Sequence, residues 1–442
     1  MKILIFATSP NQNIGYSKVG NYISNYLASI SDNEVIYFAV HNVKDKIVDR
    51  FIDPKIQIID VDMIENERKL KNDYGMEIIE EFLNKIKPDI FFIYNDIIVT
   101  CRLFNQLLNF REKFRDTVKF VSYIDLVYPY EKLRYIQHLD RNTDLIFVFS
   151  DSWKENLVNC GIDSNKIKIF YHGLDDSIIF KTSKSFARKQ LGISEDDFVI
   201  LNTNRNCYRK ANEVTIKAFI HFFVSEKQNP KLKLLLNMYL DAKIGYDLLN
   251  EIQVECLRYK IKFETIEKQI IILQNGGAVS DSLINLMYNA SDIGINTAIG
   301  EGFGLCNFEH AMLGVPQVVA NVGGLKDIFK NEYAYIVEPL VTVSASNLID
   351  DHNGDLQYSS HLDFAKGMKF YFYNRDKLEE HGKLGENVLK SKYNLKTLLP
   401  RFYDDLKSFL KPLKSSEKIL PENKSKKQPL SYISYMKKLH SS

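Results

Sequence analysis

Residues 291–320 read SDIGINTAIGEGFGLCNFEHAMLGVPQVVA. The apolar run at 292–296 predicts a short buried strand. A loop follows that carries Glu301, Gly302, Phe303 and Gly304. The run 305–313 predicts a helix stopped by Gly314 and Pro316, and 315–320 predicts the next strand. A strand, a glycine-bearing loop and a helix start together make an anion site. The first helical N–H groups have no partner within the helix, and the helix dipole favours negative charge there. Gly302 and Gly304 let a ligand come close to the backbone. Glu301 and Glu309 bracket the turn, one on the loop and one in the first turns of the helix. An ionised carboxylate accepts hydrogen bonds and donates none, so beside a phosphate site it suits the reading of hydroxyl groups. Phosphate and several hydroxyls on one ligand describe a nucleotide sugar. The alternative is an ordinary β-loop-α turn in which Glu301 is solvated and Glu309 favours the helix start.

Outward from this stretch the chain alternates strand and helix signals in two series. The first predicts strands at 2–7, 34–40, 56–61, 89–94, 118–124, 144–149 and 166–171, with helices such as 17–30, 76–86 and 152–159 between them. The second predicts strands at 198–202, 232–238, 269–273, 292–296, 316–320 and 334–337. This spacing implies α/β domains with mostly parallel sheets, in which ligands bind beyond the C-terminal ends of the strands. Between the series lies the polar connection FKTSKSFARKQLGISEDDF, with a short helix and a turn at Gly192.

Two loops at strand ends are candidate sites. After the first strand comes NQNIGYSKVGNY, which fits neither the dinucleotide fingerprint nor a P-loop. It sets Gly15 just before a helix start, where backbone amides can meet a phosphate, although an ordinary turn reads the same way. After the first strand of the second series comes NTNRNCYRKANEVTIKAF, with a helix starting near Asn212. Arg205 and Lys210 stand there five residues apart. Arg bonds two phosphate oxygens in a fork and Lys acts as a point charge, so the pair suits a diphosphate. A solvated Arg and Lys in a loop is the alternative.

At this point the chain resembles a known family. EGFGLCNFE is similar to the E-x7-E signature of retaining GT-B glycosyltransferases of the family 4 (glycosyl transferases group 1) type, and AMLGVPQVVANVGGLKDIF follows the same family's pattern. The likeness runs from about residue 2 to about 410 and is strongest over 198–330. It implies an α/β chain with the GT-B fold: two Rossmann-like domains facing each other across a cleft, and a C-terminal helix crossing back to the first. The expected division is 1–180 for the N-terminal, acceptor-side domain, 181–195 for the linker and 196–385 for the donor-binding domain. Residues 386–410 would be the returning helix, with Thr397 as N-cap and Pro400 in the first turn, and 411–442 a basic tail.

The resemblance also assigns roles. Glu309 would bind ribose hydroxyls and Glu301 the transferred sugar. The amides of Phe303, Gly304 and Leu305, with Gly302 beside them, would contact sugar and phosphate. Gly15 would contact the donor phosphate, and the segment from Val279 would lie under the base. Arg205 and Lys210 would stabilise the leaving diphosphate. Many members carry a histidine at the end of an N-domain strand; here Asp125, in SYIDLVYPY, takes that place. His172 stands at the domain junction, either as a ligand group or as a satisfied core histidine. The implied activity moves a sugar from a UDP- or GDP-sugar to a glycan, lipid, protein or small-molecule acceptor with retention. It needs no cofactor beyond the donor substrate and no metal. A nucleotide-sugar epimerase and a non-catalytic nucleotide-sugar-binding protein are the alternatives.

Composition narrows the field further. The 442 residues exceed one ordinary core. A net charge of +2 offers no field for nucleic acid. Five cysteines without a CxxC pair argue against a zinc site or disulfide framework and fit a reducing, cytoplasmic setting. The run at 3–7 falls short of a signal-peptide core, and no apolar run reaches the roughly 18 residues of a membrane span. The D-x-D of a metal-dependent transferase occurs only as Asp60-Val61-Asp62, with nothing near it to complete a metal site. The tail, with eight Lys against two Glu, reads as disordered and is a candidate for weak peripheral contact with an anionic membrane, or is a plain solvated tail.

Overall fold

The computed structural model describes residues 1–42, 50–240, 245–273, 279–346 and 351–410; the tail expected at 411–442 lies outside them. Seven strands form the first sheet: β1 (Lys2–Thr8), β2 (Glu34–Val40), β3 (Gln57–Asp60), β4 (Ile90–Asp96), β5 (Lys119–Asp125), β6 (Leu145–Val148) and β7 (Ile167–Ile169). Their order is β3-β2-β1-β4-β5-β6-β7, all parallel. Strand β1 is apolar at Ile3, Leu4, Ile5, Phe6 and Ala7, all fully buried, because helices cover both faces of a parallel sheet.

The second sheet comprises β8 (Phe198–Asn202), β9 (Leu232–Leu236), β10 (Ile270–Ile272), β11 (Ile293–Asn296), β12 (Gln317–Ala320) and β13 (Tyr335–Val337). Its order, β10-β9-β8-β11-β12-β13, repeats the doubly wound pattern of the first, again parallel throughout. Each sheet therefore reverses its winding beside its own first strand, between β1 and β4 and between β8 and β11. A crevice opens there at the C-terminal strand ends. The two Rossmann-like lobes turn these ends toward one another.

The connection between the lobes holds the expected short helix, Lys184–Leu191, closed by Gly192 at φ 68°. Buried Arg188 ties this helix to the second lobe, donating to the Ala290 carbonyl at 3.0 Å and to Asp292 at 2.8 Å. The returning helix spans Leu395–Leu410. Phe402 carries it onto the first lobe, with its ring 4.5 Å from Phe170, 4.9 Å from Phe147 and 5.6 Å from Phe92.

Several details differ from the sequence reading. Thr397 is not the N-cap: the helix already starts at Leu395, and Asn394 caps it, its side chain accepting from the Lys396 amide at 2.9 Å. Pro400 falls in the second turn rather than the first. It is exposed, as is Lys396, whose carbonyl loses its helical partner, so water can meet that carbonyl. The helix before it, Arg375–Lys392, runs through position 385, and a separate turn at residues 393–394 divides the two. Asp60 caps the helix Val61–Glu67, and Asp62 accepts from the Asn42 amide at 2.7 Å, so both carboxylates of the D-x-D have structural work.

An antiparallel hairpin, β14 (Pro339–Ser344) and β15 (Asp355–Ser359), was not anticipated. It leaves the second lobe and clasps the first. The Asp355 amide donates to the Pro129 carbonyl at 2.9 Å, and the Lys132 amide to the His352 carbonyl at 3.0 Å. The alternation of Val341 and Val343 was its signal in the sequence, and Asn353 and Gly354, both at positive φ, lead into β15.

Candidate functional site

A cleft of about 520 Å³ opens between the facing strand ends. Gly15, Asp125, Arg205, Lys210, Val279, Glu301, Gly302, Phe303, Gly304, Leu305 and Glu309 all line it. Residues some 290 positions apart in the chain meet here because each follows, or packs beside, the C-terminal end of a parallel strand.

The Glu301 loop is held from behind by amides. Asn296, at the end of β11, accepts from the Ala298 amide at 3.0 Å and donates to Asn307 at 2.9 Å; Asn307 in turn donates to Gln317 at 2.9 Å. Gly304 is the N-cap of the helix Leu305–Met312 with φ 87°, where a side chain would be strained and would run into Leu325. A Cβ at Gly302 would run into the Asp125 carboxylate of the opposite lobe, so the absence of a side chain there is what lets the lobes meet.

Glu301 is buried and doubly paired. It accepts from Lys210, from Arg209 at 3.3 Å and from Asn296 at 3.4 Å. Burial alone would raise its pKa, but the Lys210 and Arg209 charges outweigh burial and hold it at about 2. It is therefore a fixed acceptor at neutral pH. Lys210, expected to face a diphosphate, is engaged with this carboxylate. Arg205 stands exposed on the lip, with no side-chain partner among the described residues. Arg209, which sequence reading passed over, donates to both Glu301 and the Gly300 carbonyl, the latter at 3.0 Å. The adjacent Arg209-Lys210 pair was its only signal.

Glu309 is reached from the other lobe. Lys18, in the first turns of the helix Gly15–Ser29, places its ammonium 2.9 Å from each Glu309 oxygen. Tyr288 donates to Oε2 at 3.0 Å. Burial alone would lower the Lys18 pKa, but Glu309 and Asp281 outweigh it and raise it. Asp281 is itself gripped by Arg50 through two contacts of 2.9 and 3.1 Å. Lys18 lies inside the glycine loop already noted, but nothing local marked it, since its partner is 291 residues away.

Asp125, at the end of β5, accepts from the Tyr16 hydroxyl at 2.5 Å. Burial, aided by the nearby Glu301 and Asp96 charges and opposed by Tyr16 and Arg209, raises its pKa to about 6. His172 is buried, with Nδ1 2.8 Å from the Tyr123 hydroxyl and its ring centroid 4.7 Å from that of Phe303. Burial pushes its pKa down to about 3, so it is neutral and acts as a satisfied polar wall of the cleft. Among the described residues no cluster of His, Cys, Asp and Glu has the geometry of a metal site, and no helix is long and apolar enough to cross a membrane.

Comparison with known proteins agrees with this geometry. Residues 183–351, which carry Arg205, Lys210, Glu301 and Glu309, match the Glycosyl transferases group 1 family. Over 195 residues the chain is 27% identical to an uncharacterized glycosyltransferase of Methanocaldococcus jannaschii, covering 42% of this chain and 45% of that protein. The matched region thus spans under half the length of that curated relative. Among solved structures, a sucrose-phosphate synthase from Thermosynechococcus elongatus superposes with a TM-score of 0.69 at 15% identity, covering 92% of this chain and 98% of that one. HepE of Anabaena, solved in complex with UDP-glucose, gives 0.64 at 15% identity, covering 92% of this chain and 100% of that one. Residues 183–351 thus resemble the Glycosyl transferases group 1 family, within a chain that has the GT-B fold of two Rossmann-like lobes.

Proposed function

We propose that the protein is a nucleotide-sugar-dependent glycosyltransferase that moves the sugar of a UDP- or GDP-sugar to an acceptor hydroxyl with retention of configuration. The observation that carries this reading is the pairing, in one interlobe cleft, of two buried carboxylates with a set of cations at opposing strand ends. Carboxylates in such a place suit sugar and ribose hydroxyls as acceptors. The cations Arg205, Arg209, Lys210 and Lys18 suit a diphosphate. The HepE structure with UDP-glucose supports a donor of this class.

In the reaction the bond from the anomeric carbon to the diphosphate oxygen breaks and the electron pair stays on the diphosphate. The acceptor hydroxyl bonds to that carbon from the same face and passes its proton to the departing oxygen beside it. Negative charge on the diphosphate grows toward the transition state, so cations gathered around that place lower the barrier. Interlobe closure keeps water from the activated sugar. These cations can offset the diphosphate by themselves, which gives the expectation of transfer without a metal.

The test is a thermal-shift panel of UDP-, GDP- and ADP-sugars followed by product analysis. A donor that raises the melting temperature and is transferred, or slowly hydrolysed, supports the reading. Epimer formation without acceptor, or donor binding with neither transfer nor hydrolysis, rejects it.

A further inference from the structure

Lys18 and Glu309 make a closed pair across the mouth of the nucleotide end of the cleft. The ammonium is equidistant from both carboxylate oxygens, at 2.9 Å each, and the two side chains are only 14% and 6% exposed. Glu309 is thereby satisfied by protein alone, with Tyr288 as its further donor at 3.0 Å. A ribose diol, which would offer two hydroxyls to the same two oxygens, has to compete with Lys18. A displaced ammonium in so dry a place needs another anion. Asp281 is no substitute: it lies 3.9 Å from Lys18 and is already taken by Arg50. The neighbouring anion site is the start of Lys18's own helix, Gly15–Ser29, whose cap Ile14 supplies no side chain to its free amides and whose first turn lines the cleft.

We propose that Lys18 is an exchange residue for the donor: it neutralises Glu309 in the empty cleft and transfers to the donor's diphosphate when the ribose takes Glu309. This rests on the nucleotide-sugar reading above and adds a residue and a selection rule to it. A nucleoside alone has to break the Lys18–Glu309 pair and leaves the ammonium without a partner. A nucleoside diphosphate breaks the same pair and supplies the new partner. The empty site therefore discriminates against nucleosides by more than the phosphate contacts of Arg205 and the glycine loop would give.

The experiment compares dissociation constants for UDP, GDP and ADP with those for uridine, guanosine and adenosine, by calorimetry or ligand-observed NMR, in the native protein and in Lys18→Met. The expected result is tighter nucleoside binding in Lys18→Met and a nucleoside-to-diphosphate ratio of dissociation constants that shrinks roughly tenfold, the scale of one charge-assisted hydrogen bond. Lys18→Gln, which keeps a donor for Glu309 and so guards against misfolding, should shrink the ratio in the same direction. An unchanged ratio, with both ligands moving together or neither moving, overturns the exchange and leaves Lys18 a structural tie. A ratio that shrinks only because the diphosphate weakens also overturns it, leaving a simple phosphate contact. If the native protein binds none of the nucleotides, the nucleotide-sugar reading itself falls, and the exchange with it.

Discussion

The indole of Trp153, in the first lobe, donates to the carbonyl of Gly302, in the second, at 2.8 Å. This single bond ties the only tryptophan of the chain to the residue beside Glu301. The Trp153 ring is buried, so neither partner has water as a ready replacement. The candidate catalytic loop is thus fixed in part by the opposite lobe.

Trp153→Phe keeps most of the packing but leaves the Gly302 carbonyl unpaired. The expected cost is about 1–3 kcal/mol of stability. Transfer should fall more than donor binding, since the loop is then less firmly placed. Chemical denaturation alongside steady-state kinetics checks this; a native denaturation midpoint together with native kinetics removes Trp153 from the account.

Arg205 and Lys210 should separate in a paired measurement. Each is proposed to offset leaving-group charge, so alanine at either should lower the rate by on the order of 10²–10³, with a smaller effect on donor affinity. Only Lys210→Ala should also lower the melting temperature, because Lys210 is buried on Glu301 while Arg205 is exposed and unpaired among the described residues. The native protein should keep its transfer rate in excess chelator. Strict dependence on added metal, or near-native rates in both variants, rejects this division of labour.

Glu309→Ala should remove most of the preference for a nucleoside diphosphate over its 2′,3′-dideoxy counterpart, a preference of about 1.5–3 kcal/mol where ribose hydroxyls keep a charged acceptor; total affinity changes by less, since the variant also has no Lys18–Glu309 pair to break. It should also destabilise the fold, since Lys18 would then be buried without its partner. Calorimetry showing the native preference for the nucleoside diphosphate over its 2′,3′-dideoxy counterpart in a folded variant rejects the ribose role.

Glu131 supplies a pH test of the lobe contact beside the hairpin. It is fully buried and accepts from the amides of Val127 at 2.8 Å and Tyr128 at 3.2 Å. Burial, opposed by His352 and those two amides, raises its pKa from 4.5 to about 7. A carboxyl with a raised folded pKa binds more protons folded than unfolded. Its contribution is therefore complete below about 4.5 and is lost as pH rises through about 7. The loss should be on the order of 3 kcal/mol. Denaturation between pH 4.5 and 8 should show this slope in the native protein and its removal in Glu131→Gln; identical slopes in the two proteins reject the assignment.

The sequence by itself determined the two parallel sheets and the loops that end their strands. Buried parallel strands are continuous apolar runs, and the glycines and charges that follow them are local in the chain, as in 291–320 and 198–212. The eleven site residues were named through the resemblance to a known family, and all of them line the cleft, where the doubly wound order brings strand ends together.

What the side chains do once there was decided by tertiary structure. Lys18 neutralises Glu309, Arg209 and Lys210 hold Glu301 ionised, and Trp153 fixes Gly302. Each is a contact between groups brought together by the fold, and the Lys18 and Trp153 contacts cross from one lobe to the other, 291 and 149 residues apart in the chain. The pairing and burial that set the charge of a carboxylate come from the fold around it, whereas composition and spacing describe only its neighbours along the chain. The sequence names the groups that meet, and the closed interface between the lobes decides which of them are paired.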